Sequence, residues 1–209
     1  GGAITCGSVA LYEAIFAMKQ VGWKPANSQQ KPYDNLVPAE RYGHNYRMTE
    51  FQAALLRGGL SRLERHLGIR EESAAYLAER LSGSGGPLQV APRDPRVTRQ
   101  SFYALTLYFS PEQAQGVSLS RYAQALAAEG FPATRTYGPV YRNPLLNLYD
   151  RTSPVPYRQP RPRQDYRSIS FPNAERAHKE TALLLMHQHL LGDRVYLDQL
   201  VEAVAKVNE

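Results

Sequence analysis

Apolar residues along the chain fall into short periodic stretches separated by polar, proline-rich spans. Leu11, Ala14, Ile15 and Met18 repeat at helical spacing, which predicts a helix over 10–20 stopped by Gly22. Before it, residues 1–5 are small and β-compatible and are expected to form a strand. Residues 24–44 carry Pro25, Pro32 and Pro38 with no apolar period, and read as a long loop. At Thr49 the pattern changes. Thr49-Glu50-Phe51-Gln52 fits a capping box, in which the Thr hydroxyl and the Gln amide each satisfy one orphan backbone N–H. From there to Leu81 the chain reads as helix, with Gly58-Gly59 expected to bend or break it. Leu63, Leu67, Arg70, Ala74, Leu77 and Leu81 form a stripe that should face a core.

Ser82-Gly83-Ser84-Gly85-Gly86-Pro87 is the clearest breakpoint. Beyond it, residues 100–109 are rich in Phe, Tyr, Leu and Thr and read as a strand. A helix follows over 119–129, with Tyr122, Ala123, Leu126 and Ala127 on one face and Gly130 as its stop. Residues 133–137 suit a second strand. Residues 138–167 hold six prolines and six arginines and read as an extended loop. Asn173 is expected to cap a helix over 174–185, and Asp193 a last helix bearing Leu197, Leu200, Val201 and Val204. The segment after the breakpoint is thus a compact α+β unit.

Composition narrows the function classes. The chain has 209 residues and a net charge of +6. Its arginines are spread along the chain, apart from a denser patch at Arg151, Arg158, Arg161, Arg163 and Arg167. There is no basic block and no aromatic-basic RNA motif, so no nucleic-acid partner is expected. No apolar run approaches the length of a membrane span, so no membrane partner is expected either. Cys6 is the single cysteine, which excludes an internal disulfide and fits a reducing cytoplasm. The histidines lack metal-ligand spacing. His187 and His189 would share a face only in a strand, and they read as a surface turn. No nucleophile elbow, Walker loop or Rossmann glycine pattern is present.

That leaves Asn45 and Arg47, just ahead of a helix start. A helix N-terminus offers free N–H groups and partial positive charge, and so suits an anion. Asn adds two N–H donors and Arg a fixed charge. On spacing alone, surface capping explains the same residues.

The run from Gly43 to Ala54, Gly-His-Asn-Tyr-Arg-Met-Thr-Glu-Phe-Gln-Ala-Ala, resembles the G-x-N-x-R-M-[ST]-E-x-Q-A-A segment of the DegT/DnrJ/StrS-type sugar aminotransferases. These are fold-type I enzymes that use pyridoxal 5′-phosphate. Weaker matches follow in order. Residues 1–5 are similar to the strand after the family's G-E-G-G, and 11–22 to its next helix. Tyr137-Gly138-Pro139-Val140-Tyr141-Arg142 is similar to an aromatic-Pro loop by the substrate. Phe171-Pro172-Asn173-Ala174-Glu175 and Leu190-Leu191-Gly192 match its C-terminal unit. The resemblance implies an α/β architecture: a remnant of the large cofactor domain over 1–48, a linking helix region over 49–82, and a small α+β domain over 83–209. It implies pyridoxal 5′-phosphate as cofactor, with Asn45 holding its phosphate across a homodimer interface and Arg47 supporting phosphate or substrate. Tyr137 and Tyr141 become substrate-contact candidates. The implied reaction moves an amino group from Glu or Gln to a keto-sugar or, from the loop's wording, a keto-cyclitol. The family's Schiff-base lysine lies a few residues before its G-E-G-G. Lys19, Lys24, Lys31, Lys179 and Lys206 match no such position, so no catalytic residue is assigned and the chain alone is expected to be inactive. Two other readings stay open: a lysine-less relative acting as a dehydratase or binder, and an Arg-rich binding module using the 138–167 loop.

Overall fold

The computed structural model describes residues 2–27, 33, 35–146 and 166–209. Arg151, Arg158, Arg161 and Arg163, and with them most of the arginine patch, lie outside the described residues. The chain divides into two compact units, Gly1–Glu64 and Arg65–Glu209.

In the first unit, α1 spans Val9–Lys19. Ser8 caps it by accepting the Leu11 N–H, and Phe16 and Ala17 are its buried positions. The expected strand over 1–5 is absent among the described residues: 2–6 take no regular structure. A lone segment of small residues has no ladder partner here to satisfy its backbone. The expected loop over 24–44 is also corrected. Its ends form a small antiparallel hairpin of β1 (Trp23–Pro25) and β2 (Leu36–Pro38), with Lys24 opposite Val37. Such short strands with little periodicity are invisible to a pattern search. The Lys24 ammonium pairs with Glu13 of α1 at 2.7 Å.

Helix α2 runs unbroken over Glu50–Gly83. The capping box forms as expected: Thr49 N–H donates to Gln52 Oε1 at 2.9 Å, and Gln52 N–H to Thr49 Oγ1 at 3.3 Å. Gly58-Gly59 does not break the helix. Two glycines cost about 1 kcal/mol each relative to Ala, which lowers propensity without removing any backbone bond. The core stripe is largely correct. Leu67, Ala74, Leu77 and Leu81 are buried, whereas Leu63 is exposed.

The second unit is a four-stranded antiparallel sheet with strand order β3-β4-β6-β5. Its strands are β3 (Leu88–Val90), β4 (Ala104–Phe109), β5 (Ala133–Arg135) and β6 (Ala182–Met186). Helices α3 (Leu119–Ala128) and α5 (Arg194–Asn208) join the C-terminal part of α2 in one core with the sheet. Alternation decides which side chains enter it. Leu105, Leu107 and Phe109 of β4 and Leu183 and Leu185 of β6 are buried, while Thr106 and Tyr108 are exposed. Ser118 and Asp193 cap α3 and α5, the latter as expected.

The helix expected over 174–185 is the main local error. Asn173 is not its cap. A short α4 starts at Pro172 after Phe171, gives way to a π-helical turn over Ala177–Thr181, and ends in β6. Leucines favour helices in isolation, but Ala182–Met186 lies between two strands and buries every second side chain. Tertiary packing overrides propensity there. His187–Leu191 then forms a 3₁₀ turn, as expected near the surface, though both imidazoles are half-buried.

Candidate functional site

The site in the first unit is built where α1 ends. Its last carbonyls need donors that α1 itself cannot supply. The segment after β2 provides them: His44 N–H donates to Met18 O at 2.7 Å and Tyr46 N–H to Lys19 O at 3.0 Å. In return Val21 N–H donates to His44 O at 3.1 Å. The motif strand is therefore laid directly against the end of α1. Only glycine fits at the crossing. A Cβ on Gly43 would stand 2.1 Å from Ala17 O and 2.6 Å from Gly22 N. Gly22 itself has φ +86°, which lets the chain reverse after α1.

This docking fixes both candidate residues. Asn45 Oδ1 accepts the Arg47 N–H at 3.3 Å, which leaves its Nδ2 hydrogens to be offered elsewhere. The Arg47 guanidinium donates from Nη1 to Gln20 Oε1 at 3.0 Å. Gln20 is buried at the C-cap of α1 and so holds the Arg head in place. Three residues further on, α2 begins at Glu50, the capping box having already taken the Thr49 and Gln52 N–H groups. Asn45, Arg47 and a helix start thus lie in one short stretch, a donor set suited to a phosphate. Exposed rings of Tyr42, His44 and Tyr46 accompany them, with the His44 ring 5.1 Å and 5.2 Å from its neighbours. Tyr46 also lines an open, mostly apolar cleft of about 540 Å³ with Ile4, Tyr12, Phe16 and Lys19.

The described lysines are engaged elsewhere. Lys19 Nζ donates to Tyr33 Oη at 2.9 Å and sits over the Phe16 ring. Lys24, Lys179 and Lys206 pair with Glu13, Glu175 and Glu129; Lys31 lies outside the described residues. Among the described residues no group of three or more His, Cys, Asp or Glu could hold a metal ion. No helix of the described residues is long and apolar enough to cross a membrane.

In the second unit, Tyr141 and Arg142 occupy a 3₁₀ turn over Val140–Arg142. Tyr141 Oη donates to Glu175 Oε1 at 2.5 Å, and the Arg142 Nε–H reaches the same oxygen. Lys179 approaches the other oxygen at 3.4 Å. The Tyr141 hydroxyl and the Arg142 guanidinium beside it hold the Glu175 carboxyl below its ordinary range. The Phe171 ring lies edge-on to Tyr141, 4.9 Å between centroids. Tyr137 points elsewhere. Its hydroxyl is 2.6 Å from that of Tyr103, whose hydrogen bond raises the Tyr137 phenol. The structure thus does not join Tyr137 and Tyr141 in one cluster. Gln20 and Tyr103 escaped the sequence reading, and Gly43 and Glu175 stood in the quoted motifs without a role of their own. The glycine was legible as part of the motif, but its reason, contact with the end of α1, was not.

The comparisons with known proteins bear on this geometry. The profile of the DegT/DnrJ/EryC1/StrS aminotransferase family matches residues 1–205. The chain belongs to that family. A relative in Streptoalloteichus tenebrarius, provisionally named an L-glutamine:3-amino-2,3-dideoxy-scyllo-inosose aminotransferase, is 31% identical over 209 residues, covering 99% of this chain and 49% of its own. The L-glutamine:scyllo-inosose aminotransferase of Streptomyces griseus is 31% identical over 166 residues, covering 79% of this chain and 38% of its own. The chain thus spans about half or less of the length of the curated relatives it matches. Among solved structures, an aminotransferase from Psychrobacter cryohalolentis superposes with a TM-score of 0.69 at 20% identity, over 97% of this chain and 50% of that one. The 3-amino-5-hydroxybenzoic acid synthase gives 0.69 at 22% identity, over 96% and 47%. At such identities these two show the fold: part of a fold-type I transferase.

Proposed function

We propose that this family member serves an aminotransferase that moves an amino group from glutamine or glutamate onto a keto-cyclitol, using pyridoxal 5′-phosphate. The observation that carries the reading is the donor set of Asn45, Arg47 and the α2 start, within a family match over 1–205. The cofactor, when bound, supplies the electron sink for the transfer. This chain's residues bind and orient it. Asn45 Nδ2 and the α2 N–H groups would hold the phosphate, and Arg47, fixed by Gln20, would neutralise its charge. None of this chain's lysines matches the position of the family's Schiff-base lysine, so that group would come from the half of the relatives' length that this chain does not cover. The phosphate is that of a partner subunit. Phe51, Leu55 and Leu60, exposed along the first part of α2, support such a homodimer, because apolar rows of this kind mark interaction surfaces. Tyr137 would contact the substrate, as its place in the family's aromatic-Pro loop implies, and Tyr141, bound to Glu175, would shape the turn that follows it. A cytoplasmic location fits a phosphorylated cofactor and a single free cysteine.

The test is reconstitution. The chain is co-expressed with the N-terminal half of the Streptomyces griseus relative, and cofactor absorbance and glutamine-dependent amination of scyllo-inosose are measured. The complex should retain cofactor, and Asn45→Ala or Arg47→Ala should weaken retention about tenfold, the loss of one charge-assisted hydrogen bond. The chain alone should transfer nothing. A stable complex that binds no cofactor, or transfer by this chain alone, would refute the reading.

A further inference from the structure

Tyr103 and Tyr137 are 34 residues apart in sequence, both exposed, with hydroxyl oxygens 2.6 Å apart. An exposed phenol pair stabilises a fold little, because water offers each oxygen equivalent bonds. Yet the backbone holds Tyr103 in place at some cost. Phe102, immediately before it, has φ +50°, a left-handed conformation that bulky residues rarely adopt. This turns the Phe102 ring into the core, where it is 5% exposed, while the next ring faces solvent. His187, after β6, fixes the same point: its Nδ1 lies 3.1 Å from the Tyr103 carbonyl oxygen. The carbonyl only accepts, so Nδ1 carries the proton. A strained backbone braced from a neighbouring strand points to function at the group it presents.

The chemistry of the pair defines its ligand. Each phenol has one O–H and two lone pairs, and the internal bond uses one of each. One O–H and three lone pairs remain, on two oxygens spaced like neighbouring hydroxyls of a six-membered ring. A vicinal diol, which offers one oxygen as donor and the next as acceptor, matches them in a cyclic set of bonds. We propose that the Tyr103–Tyr137 hydroxyl pair is a binding site for adjacent hydroxyls of a polyhydroxylated ring. The class of ligand rests on the keto-cyclitol reading; the site rests on the geometry.

The probe is scyllo-inositol, added to the purified chain with ¹³C-labelled tyrosine rings and followed by NMR. Cyclohexanol, with the same ring and a single hydroxyl, is the control. Saturable shifts at Tyr103 and Tyr137 in the millimolar range are expected with scyllo-inositol and not with cyclohexanol. Tyr103→Phe and Tyr137→Phe should each weaken binding roughly fivefold, one net hydrogen bond, with backbone amide shifts elsewhere unchanged. Absence of saturable shifts at both rings up to 100 mM, equal response to cyclohexanol, or unchanged affinity in both variants would overturn the proposal. Polyol binding without cofactor retention in the reconstituted complex would instead sink the aminotransferase reading and leave this site standing.

Discussion

Replacing Gly43 by Ala tests how the motif strand is held. The added Cβ would meet Ala17 O at 2.1 Å, Gly22 N at 2.6 Å and Met18 O at 3.0 Å, all of them backbone atoms. Ordinary contact needs about 3.4 Å or more, so the strand must back away from α1 by more than about 1 Å. No side chain can rotate to relieve the clash. Overpacking of this kind costs about 1–3 kcal/mol. The displacement also stretches the bonds from His44 N–H to Met18 O and from Tyr46 N–H to Lys19 O, now 2.7 and 3.0 Å. Each contributes about 0.5–1.5 kcal/mol net. Together the docking of residues 43–47 should weaken by about 2–4 kcal/mol, a factor of roughly 30 to 1,000 in the opening equilibrium. Native-state hydrogen exchange reads this directly, at the amides of Val21, His44 and Tyr46. The β4–β6 amides of the second unit, such as Leu107, serve as internal control and should not change. Unaltered exchange at His44 and Tyr46 in Gly43→Ala would refute the close crossing as the reason for glycine here.

Two further outcomes follow from the second unit. Burial pushes the Tyr122 phenol up to about 12 from an ordinary 10.0, and its hydroxyl donates to Asn208 Oδ1 at 2.7 Å. The folded state therefore holds the proton more tightly than the unfolded chain. Ionising the buried phenol lowers the stability of the parent by about 2–3 kcal/mol as pH rises from 10 to 12; urea unfolding of the parent should fall by that much relative to Tyr122→Phe across that window, and parallel curves would contradict it. Leu77 is fully buried among α2, α3 and the sheet, so Leu77→Ala should cost about 2–5 kcal/mol in the same assay, against under about 0.5 kcal/mol for exposed Glu79→Ala.

The family motif, the capping box, the core stripe of α2, the glycine stop of α3 and the cap of α5 were all legible in sequence. Each depends on neighbours within one helical turn or on a simple period. The same reasoning misplaced β6, because a run of Ala and Leu carries no mark of the strands on either side. It missed β1, β2 and β3, whose three residues each are too short for a period. For the site, Asn45 and Arg47 stood out as residue types, while their partner Gln20 did not. Nothing about a glutamine at a helix end announces that its amide will be buried beneath an arginine 27 positions later.

The sequence by itself determined the family, the anion-suited residues ahead of α2 and the α+β character of the C-terminal unit, because those are written in local chemistry and spacing. Only the tertiary structure decided why Gly43 must be glycine, that Arg47 is held by Gln20, that Tyr141 is bound to Glu175, and that Tyr137 meets Tyr103. Those facts arise where the backbone turns back on itself, and the distances that define them are set by packing between residues that the sequence keeps far apart.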